Sequence, residues 1–112
     1  MTEFDQLVAH RGVLMAGRFD PDWRVGEQKT KALFFEYPAA AQAMGTYCQA
    51  IQSVLNALAL SMDGISPMNW SPIHGWAVSA GDFSVAMHGD RFVVAETAQI
   101  ESVDELLRLL AQ

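Results

Sequence analysis

The feature that most constrains the fold is a run of 25 residues, Pro38 to Met62, without a single charged side chain. A surface helix of an acidic protein ordinarily shows Lys and Glu to water, yet this alanine-rich run offers only Gln, Thr, Ser and Asn. It is therefore expected to be covered on more than one side, by the sheet of its own domain and by a second copy of the chain. Ala40, Met44, Tyr47, Cys48, Ile51, Val54, Leu55, Leu58 and Met62 recur at three- and four-residue steps, which predicts one broad apolar stripe facing the sheet. Ala43, Ala50 and Ala57 repeat every seven residues beside it, and side chains that small let another helix approach closely. Gln42, Thr46, Gln49, Ser53 and Asn56 lie opposite the stripe, where uncharged polar groups tolerate partial burial better than Lys or Glu.

At about 1.5 Å per residue the run is long enough to cross a bilayer. Its composition argues against that, because Gln42, Gln49, Gln52, Ser53 and Asn56 would each carry a polar group into lipid. The whole chain has 112 residues, 51% of them hydrophobic, which predicts one folded domain over 1–112. Its formal charge of -6 leaves no electrostatic footprint for a nucleic-acid backbone or an anionic membrane. The start, Met1-Thr2-Glu3-Phe4-Asp5, is acidic where an export signal is basic, and the single cysteine, Cys48, has no internal disulfide partner. Both features predict a cytoplasmic protein.

Around the central helix the chain reads as alternating short elements. Thr2 is placed to cap a first helix that buries Phe4, Leu7 and Val8 and ends near Arg11-Gly12. Val13 to Phe19 is apolar without clear alternation, the pattern of a strand covered on both faces. Asp20-Pro21-Asp22 turns it into a polar partner, Trp23 to about Lys31, suited to a sheet edge. Ala32 to Tyr37 leads into the long helix at Pro38, and Asp63-Gly64 closes it. A loop between Pro67 and Pro72 precedes three strands, Gly75–Ser79, Phe83–Met87 and Arg91–Ala95, joined at Gly81-Asp82 and Gly89-Asp90. The last of these is continuously apolar and so central. Ser102-x-x-Glu105 is a capping box for a final helix whose Val103, Leu106, Leu107 and Leu110 share a face.

This order, and more specifically Met68-Asn69-Trp70-Ser71-Pro72 followed by Gly75-Trp76-Ala77-Val78-Ser79 and Gly81-Asp82-Phe83-Ser84-Val85, resembles the roadblock and dynein light chain superfamily. Within it the chain looks like a small prokaryotic family of unassigned function. The resemblance implies a profilin-like α/β (α+β) sandwich: a five-stranded antiparallel sheet in order 2-1-5-4-3, with the long helix on one face and the terminal helices on the other. It also implies a homodimer formed by long helices packed side by side and third strands joined edge to edge. In this chain that seam would comprise Ala43, Tyr47, Ala50, Val54 and Ala57 of the helix and Trp76, Ala77, Val78 and Ser79 of the strand. Members of the superfamily serve as platforms for small GTPases and their regulators.

The residues that carry chemistry elsewhere have structural readings here. Cys48 sits in mid-helix on the apolar stripe, far from the helix amino terminus that would lower its pKa, which predicts an inert buried thiol. His10, His74 and His88 lie in or beside turns without short ligand spacing, so no metal is expected. Ser71, Ser79 and Ser84 lack a nucleophile-elbow context, and no glycine-rich phosphate loop is present. The expectation is a protein that is not an enzyme, holds no cofactor and binds another protein. Gln42, Gln49, Ser53, Asn56, Asn69 and Trp70 form the candidate partner or ligand surface. Two other classes stay open: a small-ligand sensor, reported by Trp70 and Trp76, and an accessory subunit of a bacterial redox or metabolic complex.

Overall fold

A computed structural model of the chain describes residues 3–31 and 37–112. The Thr2 cap and most of the approach to the long helix, 32–36, lie outside the described residues. The elements run α1 (Glu3–Ala9), β1 (Val13–Phe19), β2 (Val25–Thr30), α2 (Pro38–Asp63), β3 (Gly75–Ala80), β4 (Phe83–His88), β5 (Arg91–Glu96) and α3 (Val103–Ala111). The sheet is antiparallel throughout, with the strands in order β2-β1-β5-β4-β3. Gly81 and Gly89, at φ 65° and 63°, provide the left-handed residue that each two-residue hairpin needs.

Two cores, one on each face of the sheet, explain the continuous apolar strands. Val13 and Ala16 of β1, with Val93 and Ala95 of β5, pack beneath Phe4, Leu7 and Val8 of α1 and Leu106 and Leu110 of α3. Met15 and Phe19, with Phe92 and Val94, point to the other face, where Ala40 and Cys48 of α2 cover them. A strand that contributes to both cores cannot alternate with polar residues; β1 and β5 are such strands, and so is β4, which gives Ala86 to the first core and Val85 and Met87 to the second. Among the described residues no helix is long and apolar enough to cross a membrane.

The stripe expected to hold α2 to the sheet is corrected at three positions. Val54 and Leu58 are 60% and 58% exposed, and Tyr47 is exposed at 36%. The sheet-facing line instead passes through Met44, Gly45, Cys48, Ile51, Gln52, Leu55 and Ala59. The polar Gln52 belongs on it because its Oε1 accepts the indole N–H of Trp76 at 2.7 Å while its Nε2 donates to the carbonyl of Ile73 at 3.2 Å. Gly45 belongs there because nothing larger fits: a Cβ at that position would lie 2.2 Å from the carbonyl oxygen of Trp23.

Two local expectations are also corrected, and a third holds. β2 begins at Val25, because the Asp20 carboxylate accepts the amides of Asp22 and Arg24 (2.8 and 3.0 Å) and holds Trp23 at φ 63°. α2 closes at Asp63-Gly64 as expected, with Gly64 at φ -75°, and the Asp63 carboxylate organises the following loop by accepting the amide of Trp70 (2.5 Å) and the hydroxyl of Ser71. Ser102 makes no side-chain cap bond to α3, and the Glu105 carboxylate, while still near the Ser102 amide, has other partners. Its Oε2 accepts the amide of Glu101 at 2.9 Å, and its Oε1 lies 2.6 Å from Nε2 of His10 in the α1–β1 turn.

Candidate functional site

Two surfaces emerge from this packing. The first is the outer side of α2 together with the free edge of β3. Ala43, Tyr47, Ala50, Val54, Ala57 and Leu58 are all exposed and follow one another at helical spacing. The hydroxyls beside them are already satisfied within the helix, Thr46 Oγ1 donating to the carbonyl of Gln42 at 3.2 Å and Ser61 Oγ to that of Ala57 at 3.1 Å. Such back-bonded hydroxyls lose little if water is removed. Among the described residues β3 pairs with β4 alone, which leaves its other side as an edge of the sheet. Of the strand residues assigned to the seam, Trp76 is turned into the α2-side core and only 6% exposed, Ala77 and Val78 are half-buried, and Ser79 is exposed. The Ser79 hydroxyl lies 2.9 Å from that of buried Ser84, which in turn lies 2.9 Å from that of Thr97.

The residues assigned to a partner surface fall into separate places. Gln42 and Gln49 line a polar groove with Arg24 and Gln28 of the β2 edge, and Ser53 is exposed further along the same flank. Asn56 is half-buried. Asn69 and Trp70 lie beside Asp63 at the far end of α2, where the Trp70 ring is 45% exposed. From Gln42 to Asp63 the helix rises roughly 31 Å, so these residues do not form one site.

The second surface is a cleft of about 360 Å³ where the β1–β2 turn meets α2 and the β4–β5 turn. Phe19, Trp23 and Met87 supply its apolar walls, Gln52 its polar side, and Asp20 and Asp90 its charges. Phe19 stacks on Phe92 with centroids 4.3 Å apart and meets Trp23 at 5.4 Å and 50°. Sequence reasoning missed Trp23 and Gln52 as site residues. A signal existed for Gln52, which falls four residues after Cys48 on the buried side of the helix.

Elsewhere three titratable groups depart from their ordinary values. Burial pushes the Cys48 thiol up to about 12, so it is a protonated core residue at neutral pH. The Ser71 hydroxyl, and after it the Trp70 amide, hold Asp63 below its ordinary value. His10, followed by the Glu101 amide, does the same for Glu105. Among the described residues no three His, Cys, Asp or Glu side chains gather as metal ligands.

The fold and its surfaces thus define a small α+β sandwich with an uncovered apolar helix side and one aromatic cleft. Residues 3–112 match the family described as uncharacterized conserved protein (DUF2173), and the chain belongs to that family. No curated protein and no solved structure matches it.

Proposed function

We propose that the chain is a single-domain, non-enzymatic homodimeric platform of the roadblock and dynein light chain kind, working in the cytoplasm. Two copies join through the outer side of α2 and the β3 edge, and the dimer presents a surface to another protein, a small GTPase or its regulator. One observation carries this reading: Val54 and Leu58 stand more than half exposed on a helix side that also shows Tyr47 and three alanines and has no charge. A contiguous apolar side of this kind marks an interaction surface. Helix sides so rich in alanine favour close packing of a second helix, and an isologous contact of this kind closes at two copies. Ala50→Glu tests it, because a carboxylate at the centre of the seam would be desolvated in the dimer and harmless in a monomer. Sedimentation velocity should show a dimer for the parent chain and a monomer for the variant, with far-ultraviolet circular dichroism unchanged. A parent chain that sediments as a monomer at micromolar concentration overturns the reading, and a dimeric variant moves the seam off this side of α2.

The aromatic cleft favours a second reading, a small-ligand sensor. It has the size of a small-molecule site and places Trp23 where binding would alter its fluorescence. A saturable change in fluorescence that is absent from a Trp23→Phe variant would support it.

A further inference from the structure

We infer that the cleft between the β1–β2 turn and α2 accepts a small organic cation, an amine or quaternary ammonium group on an apolar body. The inference rests on the ligand-binding reading of this cleft and gives that reading its chemistry. The volume of about 360 Å³ lies at the lower end of the range of small-molecule sites and suits a compact ligand.

The chemistry follows from what lines it. Two ring systems are held in fixed relation, Phe19 against Phe92 at 4.3 Å and Trp23 against Phe19 at 5.4 Å. Trp23 is further fixed because its own carbonyl rests on Gly45 and its turn is tied to the Asp20 carboxylate. Aromatic faces attract cations through their quadrupole, and tryptophan does so most strongly. Two carboxylates, Asp20 and Asp90, line the cleft, and among the described residues no Lys or Arg lines it. One oxygen of Asp20 holds the turn by accepting two backbone N–H groups, which fixes the carboxylate and leaves its negative charge in place. Asp90 is shared with Arg18, whose Nε lies 3.3 Å from its Oδ2. Gln52 is held between Trp76 and Ile73 and adds no charge.

This constellation discriminates. An anion would meet two carboxylates, and an uncharged apolar molecule would strip water from them without replacing it. An ammonium group set against the Trp23 ring and facing Asp20 satisfies both, while its apolar body contacts Phe19 and Met87.

The test is a titration of the full nitrogen-15-labelled chain with choline, and in parallel with its uncharged isostere in which carbon replaces the quaternary nitrogen. The indole N–H of Trp23 and the amide of Gly89 are followed by NMR. Saturable shifts with choline at millimolar concentration are expected, with binding of the isostere weaker by about tenfold. Asp20→Asn keeps an acceptor for the turn while removing the charge, and should weaken choline severalfold without moving the isostere. Should that variant lose its fold, Asp90→Asn provides the same comparison at the other carboxylate of the cleft. Equal binding of the two probes overturns the cation assignment while leaving a ligand cleft. Absence of shifts with either probe overturns the assignment and the ligand reading together.

Discussion

Gly45→Ala separates what a helix wants from what this packing permits. Glycine in a helix interior is less favourable than alanine by about 1 kcal/mol, so propensity alone says that the substitution stabilises. The structure says the reverse. An added Cβ would lie 2.2 Å from the Trp23 carbonyl oxygen, 3.4 Å from its carbon and 3.8 Å from the Phe19 ring. Relief requires α2 or the β1–β2 turn to move by roughly 1 Å, and interiors packed at crystal-like density resist such shifts. The obstacle is backbone, and that backbone is anchored: Asp20 takes the amides of Asp22 and Arg24, the amide of Trp23 donates to the Asp20 carbonyl at 3.0 Å, and Trp23 already sits at φ 63°. Overpacking of this kind costs about 3 kcal/mol at the upper end of its range. Less the propensity gain, the variant should be destabilised by about 2 kcal/mol, or about 8 °C in melting temperature for a chain of this size. Urea unfolding followed by tryptophan fluorescence measures it as a lower midpoint at unchanged slope. Gly64→Ala is the control, since Gly64 has φ -75° and its nearest atom would lie 3.4 Å from the new Cβ. If Gly45→Ala proves as stable as the parent or more so, the Trp23 carbonyl does not rest on the helix and the cleft wall is not fixed as described.

Cys48, fully buried with its thiol raised to about 12, should resist iodoacetamide at pH 8 in the folded chain and react on unfolding in urea; labelling of the folded chain would contradict its burial. Asp63 and Glu105 are both lowered from ordinary values of 3.8 and 4.5, so each contributes stability that is complete above those values and lost as pH falls through the lower folded ones. Melting temperature should therefore be flat with respect to these two groups above about pH 5 and fall below it, with a shallower acid limb in Asp63→Asn. Phe92, fully buried between Phe19 and the α2 side of the sheet, should cost about 3–5 kcal/mol on truncation to alanine in the same urea assay.

Much of the sandwich is legible residue by residue. Val13–Phe19 and Arg91–Glu96 read as covered strands because each feeds both cores, and Gly81 and Gly89 mark the β3–β4 and β4–β5 hairpins because only a left-handed residue closes them so tightly. What escapes local reading depends on partners distant in sequence. Glu105 looks like half of a capping box, yet its leading partner is His10, 95 residues away. Trp23 looks like the first residue of a strand until the Asp20 carboxylate folds the turn around it. The cleft is illegible for the same reason, since its walls come from β1, the β1–β2 turn, α2, β4 and the β4–β5 turn.

The long helix shows why periodicity finds a helix more readily than it orients one. When a helix is apolar on two adjacent sides, spacing cannot tell which side the sheet covers. Here the decision is made by two residues outside the large apolar set that periodicity reads, Gly45 against Trp23 and Gln52 against Trp76. Seating these two turns Tyr47, Val54 and Leu58 out to solvent, where they join Ala43, Ala50 and Ala57. The sheet therefore accounts for only part of the missing charge. A carboxylate or ammonium at position 50, 54 or 57 would cost nothing against the sheet, because none of these positions touches it. Among the described residues these positions are exposed and belong to neither core, and this is why Ala50→Glu tests assembly rather than the fold.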